Sequence, residues 1–299
     1  MIFSHALQEA QAWFQEKFDA FEQEGSPSIL LLTGWPGVGK STLLRTLNTN
    51  TEQLSYKSYY IDLDQVSNDP RYWQILNGKI NEIGRQARRQ GVPLCLFVDH
   101  VPPRLNEPLR GIENEILYPF HQAGDTLMLF VLRDKGRWGF NRLPQFADLY
   151  FLSTFSEEEI NQLIEEINQH VSDPETCQNI SFSATAGVPM LAKKFCEKQG
   201  GKRQGCEEYL RHWLERVDRS ELSNILLNPQ IYSLASLPEI TTKTIQNELH
   251  ISSRRAEKYH QYLRYARWIG WTAGPEKDDN IDRWTLPVQR CLELLARSN

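Results

Sequence analysis

Residues 34–41 read Gly-Trp-Pro-Gly-Val-Gly-Lys-Ser, a full match to the pattern G-x-x-x-x-G-K-[ST]. Few short stretches constrain a fold so tightly. The glycines let successive backbone N–H groups turn inward around an anion, and this works when a buried strand delivers the loop and a helix carries it away. Both neighbours are present: the apolar run Ile29–Thr33 precedes the loop, and the helical pattern STLLRTLN leaves it. In that frame Gly34, Pro36, Gly37, Val38 and Gly39 line a phosphate cradle. Lys40 reaches the β and γ phosphates, and the Ser41 hydroxyl, with Thr42 after it, is placed to hold Mg²⁺. The plain alternative is a Gly/Pro-rich surface turn that happens to carry a lysine; the strand–loop–helix register argues against it.

The surrounding chain alternates between strand and helix patterns. After the loop come the strand-like YKSYYIDLD, a long helical stretch around 71–90, the apolar run PLCLFVD, the helical GIENEILYPFHQ, then TLMLFVLRD and ADLYFLST. Alternation at this spacing predicts a parallel α/β sheet, here five-stranded, with helices on both faces. From about residue 153 only helical periodicity appears, and a third region starts near 229. There PQIYSLASL, TTKTIQNELH and SSRRAEKYHQYLRYARWI are followed by two Trp-bearing arms around a polar turn, in GWTAGPEKDDNIDRWTLP. Three helices and a hairpin in that order predict a winged helix-turn-helix. The expected division is a P-loop α/β domain at 1–152, a helical lid at 153–226 and the winged helix at 227–299.

A nucleotide magnesium needs a second oxygen source. LCLFVD is an apolar strand ending in Asp99, and a carboxylate at a strand tip faces the crevice where open α/β sheets bind ligands. Asp99 is therefore the expected metal partner, acting through a water. TLMLFVLRD ends in Arg133, which at its own strand tip would point at a γ-phosphate. The competing readings are a loop-capping aspartate and a surface arginine paired with Asp134.

Composition bounds the rest. In 299 residues, 33 Lys+Arg stand against 38 Asp+Glu, for a formal net charge of -5, which argues against a chain that coats nucleic acid. With 40% hydrophobic residues a large core is available, and no apolar run approaches the ~18 residues of a membrane span. The opening MIFSHALQEAQAWF is not a secretory signal, so a soluble cytoplasmic protein is expected. Five cysteines without a C-x-x-C pair predict neither a disulfide framework nor a Cys-rich zinc site. The first helix carries Trp13, Phe14, Phe18 and Phe21 at helical spacing; its acidic remainder disfavours anionic lipid, and packing on the α/β core is expected.

Taken in order, GWPGVGKST, LCLFVDH, FVLRD, FLSTFSEEEI, TAGVPMLA and a winged helix resemble the STAND class of signal-transduction P-loop ATPases, relatives of the AAA+ enzymes that include the NB-ARC and NACHT modules. The resemblance spans about residues 25–290. It implies an ATP/ADP-binding switch with Mg²⁺, and a sheet in which the Arg133 strand lies between the Lys40 and Asp99 strands. It also implies a sensor role for Arg133, and a place beside the adenine for Pro189 of the Gly187-Val188-Pro189 turn. His100 follows Asp99 where AAA+ enzymes and many relatives place an acid that polarises water, so slow hydrolysis is expected, with Glu107 the nearest acid further along the loop. The sequence shows neither an effector domain nor a repeat sensor, so the expected partner is an effector or sensor protein in trans, or a second copy. The rival is an AAA+-like ATPase that binds DNA through Arg254, Arg255, Lys258 and Arg264 on the third helix of the winged region.

Overall fold

A computed structural model describes residues 5–25, 28–49, 56–66, 69–102, 106–132, 139–144, 148–169, 180–197, 201–215, 226–270 and 282–297. The chain divides into two compact units. One comprises His5–Trp35 and Gly39–Leu152; the other holds Ser153–Asn299 together with Pro36–Val38 from the middle of the phosphate loop.

The first unit is built on strands β1 (Ile29–Thr33), β2 (Lys57–Asp62), β3 (Leu94–Val101), β4 (Thr126–Leu132) and β5 (Asp148–Phe151). They form one sheet in the order β2-β3-β4-β1-β5, every neighbouring pair parallel. The strand that leads to Arg133 thus lies between the phosphate-loop strand and the Asp99 strand, the order the resemblance implies. Burial follows position. β1 and β4 are buried along their whole length, because helices cover both faces of a parallel sheet, while β2 and β5 are half-exposed edges.

Helices α1 (His5–Glu24) and α2 (Lys40–Thr49) cover one face. Phe14 of α1 meets Phe97 of β3 at 5.6 Å between ring centroids, and Phe18 meets Tyr56 at 4.9 Å. At the sheet edge Trp13 packs on Tyr150 of β5 at 5.0 Å, and Lys17 pairs with Asp148 at 3.0 Å. The aromatic stripe of α1 is therefore core, as its acidic flanks suggested. On the other face lie α3 (Pro70–Gln90), α4 (Glu107–Ile112), a π-turn (Glu113–Leu117) and α5 (Tyr118–Ala123). Leu76, Ile80, Leu109, Ile112, Ile116 and Phe120 bury against Leu31, Leu96, Val98, Met128 and Phe130. Asp69 caps α3 by accepting from the Arg71 N–H, and Gly91 ends the helix at φ 66°, a conformation glycine adopts without a Cβ penalty.

The second unit is helical. It contains α6 (Glu157–Asn168), α7 (Phe182–Thr185), α8 (Pro189–Glu197) and α9 (Gly201–Glu215), then a 3₁₀ segment (Pro229–Ser236), α10 (Thr242–Leu249), α11 (Ser253–Tyr265) and α12 (Leu286–Arg297). Ser156 opens α6 with a capping box closed by Glu159. Beyond α11, Ile269 and Trp284 form an antiparallel bridge, so among the described residues a 3₁₀ segment, two helices and two bridged arms follow one another; the polar turn expected between the arms, 271–281, lies outside the described residues. Trp213 of α9 donates to the Ala266 carbonyl at 2.9 Å, tying α9 to the residues that follow α11. Two details depart from the periodicity. The first helix expected after residue 229 is 3₁₀, and a further helix, α12, buries Val288, Cys291, Leu292 and Leu295. Among the described residues no helix is long and apolar enough to cross a membrane.

Candidate functional site

The phosphate loop sits where the sequence puts it, between fully buried β1 and the start of α2 at Lys40. Gly37 and Gly39 adopt φ of 81° and 109°, turning the backbone in a way a side chain would resist. The Lys40 ammonium is buried and bends back onto its own loop, donating to the carbonyl oxygens of Gly34 at 2.7 Å and Trp35 at 2.9 Å. The hydrogen bond from Leu43 N–H to the Gly39 carbonyl, 2.9 Å, belongs to the first turn of α2. Ser41 is half-buried and Thr42 exposed on that turn.

Among the described residues, two donors beside the loop have no partner. The Thr33 hydroxyl, at the end of β1, and the Trp35 indole N–H, inside the motif, are both buried and make no hydrogen bond. A buried polar group left unsatisfied costs about 1–3 kcal/mol, so a native fold keeps one where a ligand or an ordered water completes it. A cradle of turned amides, a buried lysine and two orphaned donors fit a phosphate-bearing ligand.

Asp99 is completely buried. It does not end its strand: β3 runs on to Val101, with a register shift against β4 between Val98 and Val101 and His100 at φ 60°. The carboxylate is held at both oxygens. Oδ2 accepts from the Tyr60 hydroxyl at 2.7 Å and Oδ1 from the His100 backbone N–H at 2.8 Å. Paired residues of parallel neighbours share a face, and residues two apart on one strand do too. Asp62 pairs with Asp99 and Tyr60 with Phe97, and Phe97 packs on Phe14, so Tyr60 and Asp99 lie on the α1/α2 face, the side where the phosphate-loop helix runs. From α2 the Arg45 guanidinium lies over the Tyr60 ring, 5.8 Å from its centroid. Burial first, then the hydrogen bond to Asp99, pushes the Tyr60 hydroxyl's pKa up, keeping it a donor.

The His100 ring is engaged with β2. Its Nδ1 lies 2.8 Å from Asp62 Oδ1 and 3.5 Å from Asp64 Oδ2. Glu107 is exposed at the first turn of α4. Glu113, by contrast, is buried, and its Oε1 accepts backbone N–H groups of Asn141, Arg142 and Leu143, fastening the segment that follows the Arg133 strand. Arg133 itself lies outside the described residues.

In the helical unit, Gly187-Val188-Pro189 forms the turn from α7 into α8. Gly187 has φ 70°, and a Cβ there would stand 2.5 Å from the Phe155 carbonyl oxygen. Pro189 is buried at the start of α8. This unit also holds the crown of the phosphate loop. Met190 N–H meets the Gly37 carbonyl at 3.3 Å, and the buried Tyr209 donates to the Pro36 carbonyl at 3.0 Å. On α11, Arg254, Arg255 and Lys258 are exposed, while Arg264 is paired with Asp282 at 3.0 Å.

The sequence reading missed Tyr60, Arg45, Trp35 and Tyr209. Trp35 occupies a variable position of the motif; the others depend on strand register and helix docking, which carry no local signal.

No family model and no curated protein sequence matches the chain. Solved structures match it only at low identity and low TM-score. The chain is similar to the Thermotoga maritima RuvB Holliday junction branch migration motor, at 16% identity over 93% of this chain and 91% of that one, with a TM-score of 0.41. It is similar to the FIGL-1 AAA domain in complex with ADP, at 14% identity over 92% and 84%, TM-score 0.43. A third is the Aeropyrum pernix ORC1 protein in complex with DNA, at 13% identity over 100% and 95%, TM-score 0.38. At these values the likeness carries nothing about activity.

Proposed function

We propose that the chain binds ATP and ADP with Mg²⁺ and works as a nucleotide-dependent molecular switch of the STAND type, with slow hydrolysis and a partner protein that supplies its input or output. The observation that carries this reading is the cradle itself: turned glycines, buried Lys40, and the unpartnered donors Thr33 and Trp35 gathered at one strand end. In this reading the amides of Gly34, Pro36-flanking Gly37, Val38 and Gly39 bind phosphate, and Lys40 leaves its loop carbonyls for the β and γ oxygens. Ser41 and, through a water, Asp99 hold magnesium, with Thr42 beside them. Magnesium, when bound, neutralises charge on the phosphates. Arg133 reads the γ-phosphate, and Pro189 packs by the adenine. The lid at 153–226 passes that difference to the winged helix at 227–299, since a switch needs contacts that differ between its two ligands.

Mass identification of the nucleotide retained by the purified chain tests the reading, with ADP the expected result. A chain that carries none and binds neither added ATP nor ADP overturns it. Lys40→Ala is expected to abolish binding; unchanged affinity in that variant would sink the site.

A second reading, an AAA+-like ATPase that binds DNA, rests on the exposed Arg254, Arg255 and Lys258 of α11. It requires affinity for duplex DNA that falls steeply with salt and disappears when Arg254 and Arg255 are changed to Glu.

A further inference from the structure

Asp99 is a buried carboxylate with a donor on each oxygen, and one of those donors comes from a different strand. The His100 N–H is supplied by the backbone and survives any side-chain change; the Tyr60 hydroxyl, at 2.7 Å, is the only side-chain hydrogen bond to Asp99 among those described. A carboxylate offers about four lone-pair sites. With one site on each oxygen taken, the plane of the group is set and the remaining sites face a defined direction. The Tyr60 ring is in turn covered by Arg45, which sits on α2 one turn beyond Ser41. A line of contacts therefore runs from the helix that begins with Lys40 and Ser41, through Tyr60, to Asp99.

We propose that Tyr60 is a positioning residue for magnesium: its hydroxyl fixes the Asp99 carboxylate so that the free lone pairs meet the water shell of the ion that accompanies the nucleotide. This rests on the nucleotide reading above. Partners that orient a metal-binding carboxylate act through geometry, and losing one typically costs about 10–100-fold in metal affinity. A tyrosine that merely pins β2 to β3 would affect folding stability and leave the magnesium dependence alone.

The test is a magnesium titration of the full chain binding a fluorescent ADP, read for wild type, Asp99→Asn and Tyr60→Phe, with thermal unfolding of each protein in the absence of metal. Wild type is expected to bind ADP more tightly as magnesium rises, and Asp99→Asn to lose that response. Tyr60→Phe is expected to need about 10–100-fold more magnesium for half the effect, with magnesium-free ADP affinity unchanged. If wild type binds no ADP or ignores magnesium, the nucleotide reading itself fails. If wild type and Asp99→Asn behave as stated while Tyr60→Phe follows wild type, the positioning role alone is overturned. A Tyr60→Phe protein that loses magnesium-free ADP binding also overturns it, since the residue would then support the whole unit. Should the Phe variant not fold, Tyr60→Met removes the same donor and is read in the same titration against the same criteria.

Discussion

The Tyr209 hydroxyl donates to the Pro36 carbonyl oxygen at 3.0 Å, although the two residues stand 173 apart in sequence. Tyr209 is completely buried and its ring meets Trp213 edge-on at 5.8 Å. The bond satisfies a carbonyl at the crown of the phosphate loop from helix α9. Removing it leaves a buried acceptor unpaired. Tyr209→Phe is expected to lower stability by about 1–3 kcal/mol, read as a shift of the urea midpoint. An unchanged midpoint would mean that water replaces the hydroxyl freely.

Gly37 packs beneath α8 with no room for a side chain. A Cβ there would meet Met190 Cβ at 2.6 Å and Val188 Cγ1 at 3.2 Å, and φ is 81°. Both terms oppose substitution. Gly37→Ala is expected to cost about 1–3 kcal/mol from crowding together with the left-handed backbone. It should also weaken nucleotide binding, because the amides that follow are re-aimed. Calorimetric melting and ADP titration of the same variant check both effects, and a variant that matches wild type in both refutes the packing account.

Trp35 separates hydrogen bonding from packing. Its indole N–H is buried without a partner, so Trp35→Phe removes no bond from the ligand-free protein while keeping an aromatic ring in place. If the N–H completes its bond on the nucleotide or its water, the complex alone loses about 0.5–1.5 kcal/mol, equivalent to about 2- to 12-fold in affinity. Equilibrium ADP binding by the variant measures this directly. Unchanged affinity would give the N–H to solvent water and remove Trp35 from the site.

The sheet and the loop were legible in the sequence because their signals are local. GWPGVGKS specifies its own strand and helix, and runs such as LCLFVD and TLMLFVL are continuously apolar because those strands are covered on both faces. What could not be read is what depends on register and docking. Asp99 meets Tyr60 only because Asp62 pairs with Asp99, and a parallel pairing has no hairpin turn to announce its register. The apolar run also suggested that β3 stops at Asp99, whereas His100 at φ 60° lets the strand shift register and continue to Val101. α12 escaped notice because LPVQRCLELLAR carries Pro287 as its second residue, which marks a boundary but is tolerated in a first helical turn.

The last prediction concerns turnover. Hydrolysis in a phosphate-loop site requires a water held and polarised in line with the γ-phosphate. The position after Asp99 is His100, and its ring is turned to Asp62, 2.8 Å from Nδ1 to Oδ1, with Asp64 Oδ2 at 3.5 Å. An imidazole held by a carboxylate on the edge strand is poorly placed to take a proton from water at the cradle. Glu107, the acid further along, is exposed on α4. General-base assistance is typically worth about 10²–10⁴-fold, and one phosphate-loop GTPase without its stimulating arginine turns over on the order of 10⁻⁴ s⁻¹. The isolated chain is therefore expected to bind ATP and ADP tightly but hydrolyse slowly, with turnover rising only when a partner or a second copy supplies an arginine in trans. Steady-state hydrolysis measured against protein concentration checks it. Fast hydrolysis that does not depend on concentration would show that an acid such as Glu107 reaches the water after all, and would make the chain a motor-like ATPase rather than a timer. Replacing His100 by Glu sharpens the test: the new carboxylate meets Asp62 and Asp64 and is pushed away from β2, so acceleration would mark residue 100 as the water-facing position. An unchanged rate would leave that ring with its contact to Asp62 as its whole role.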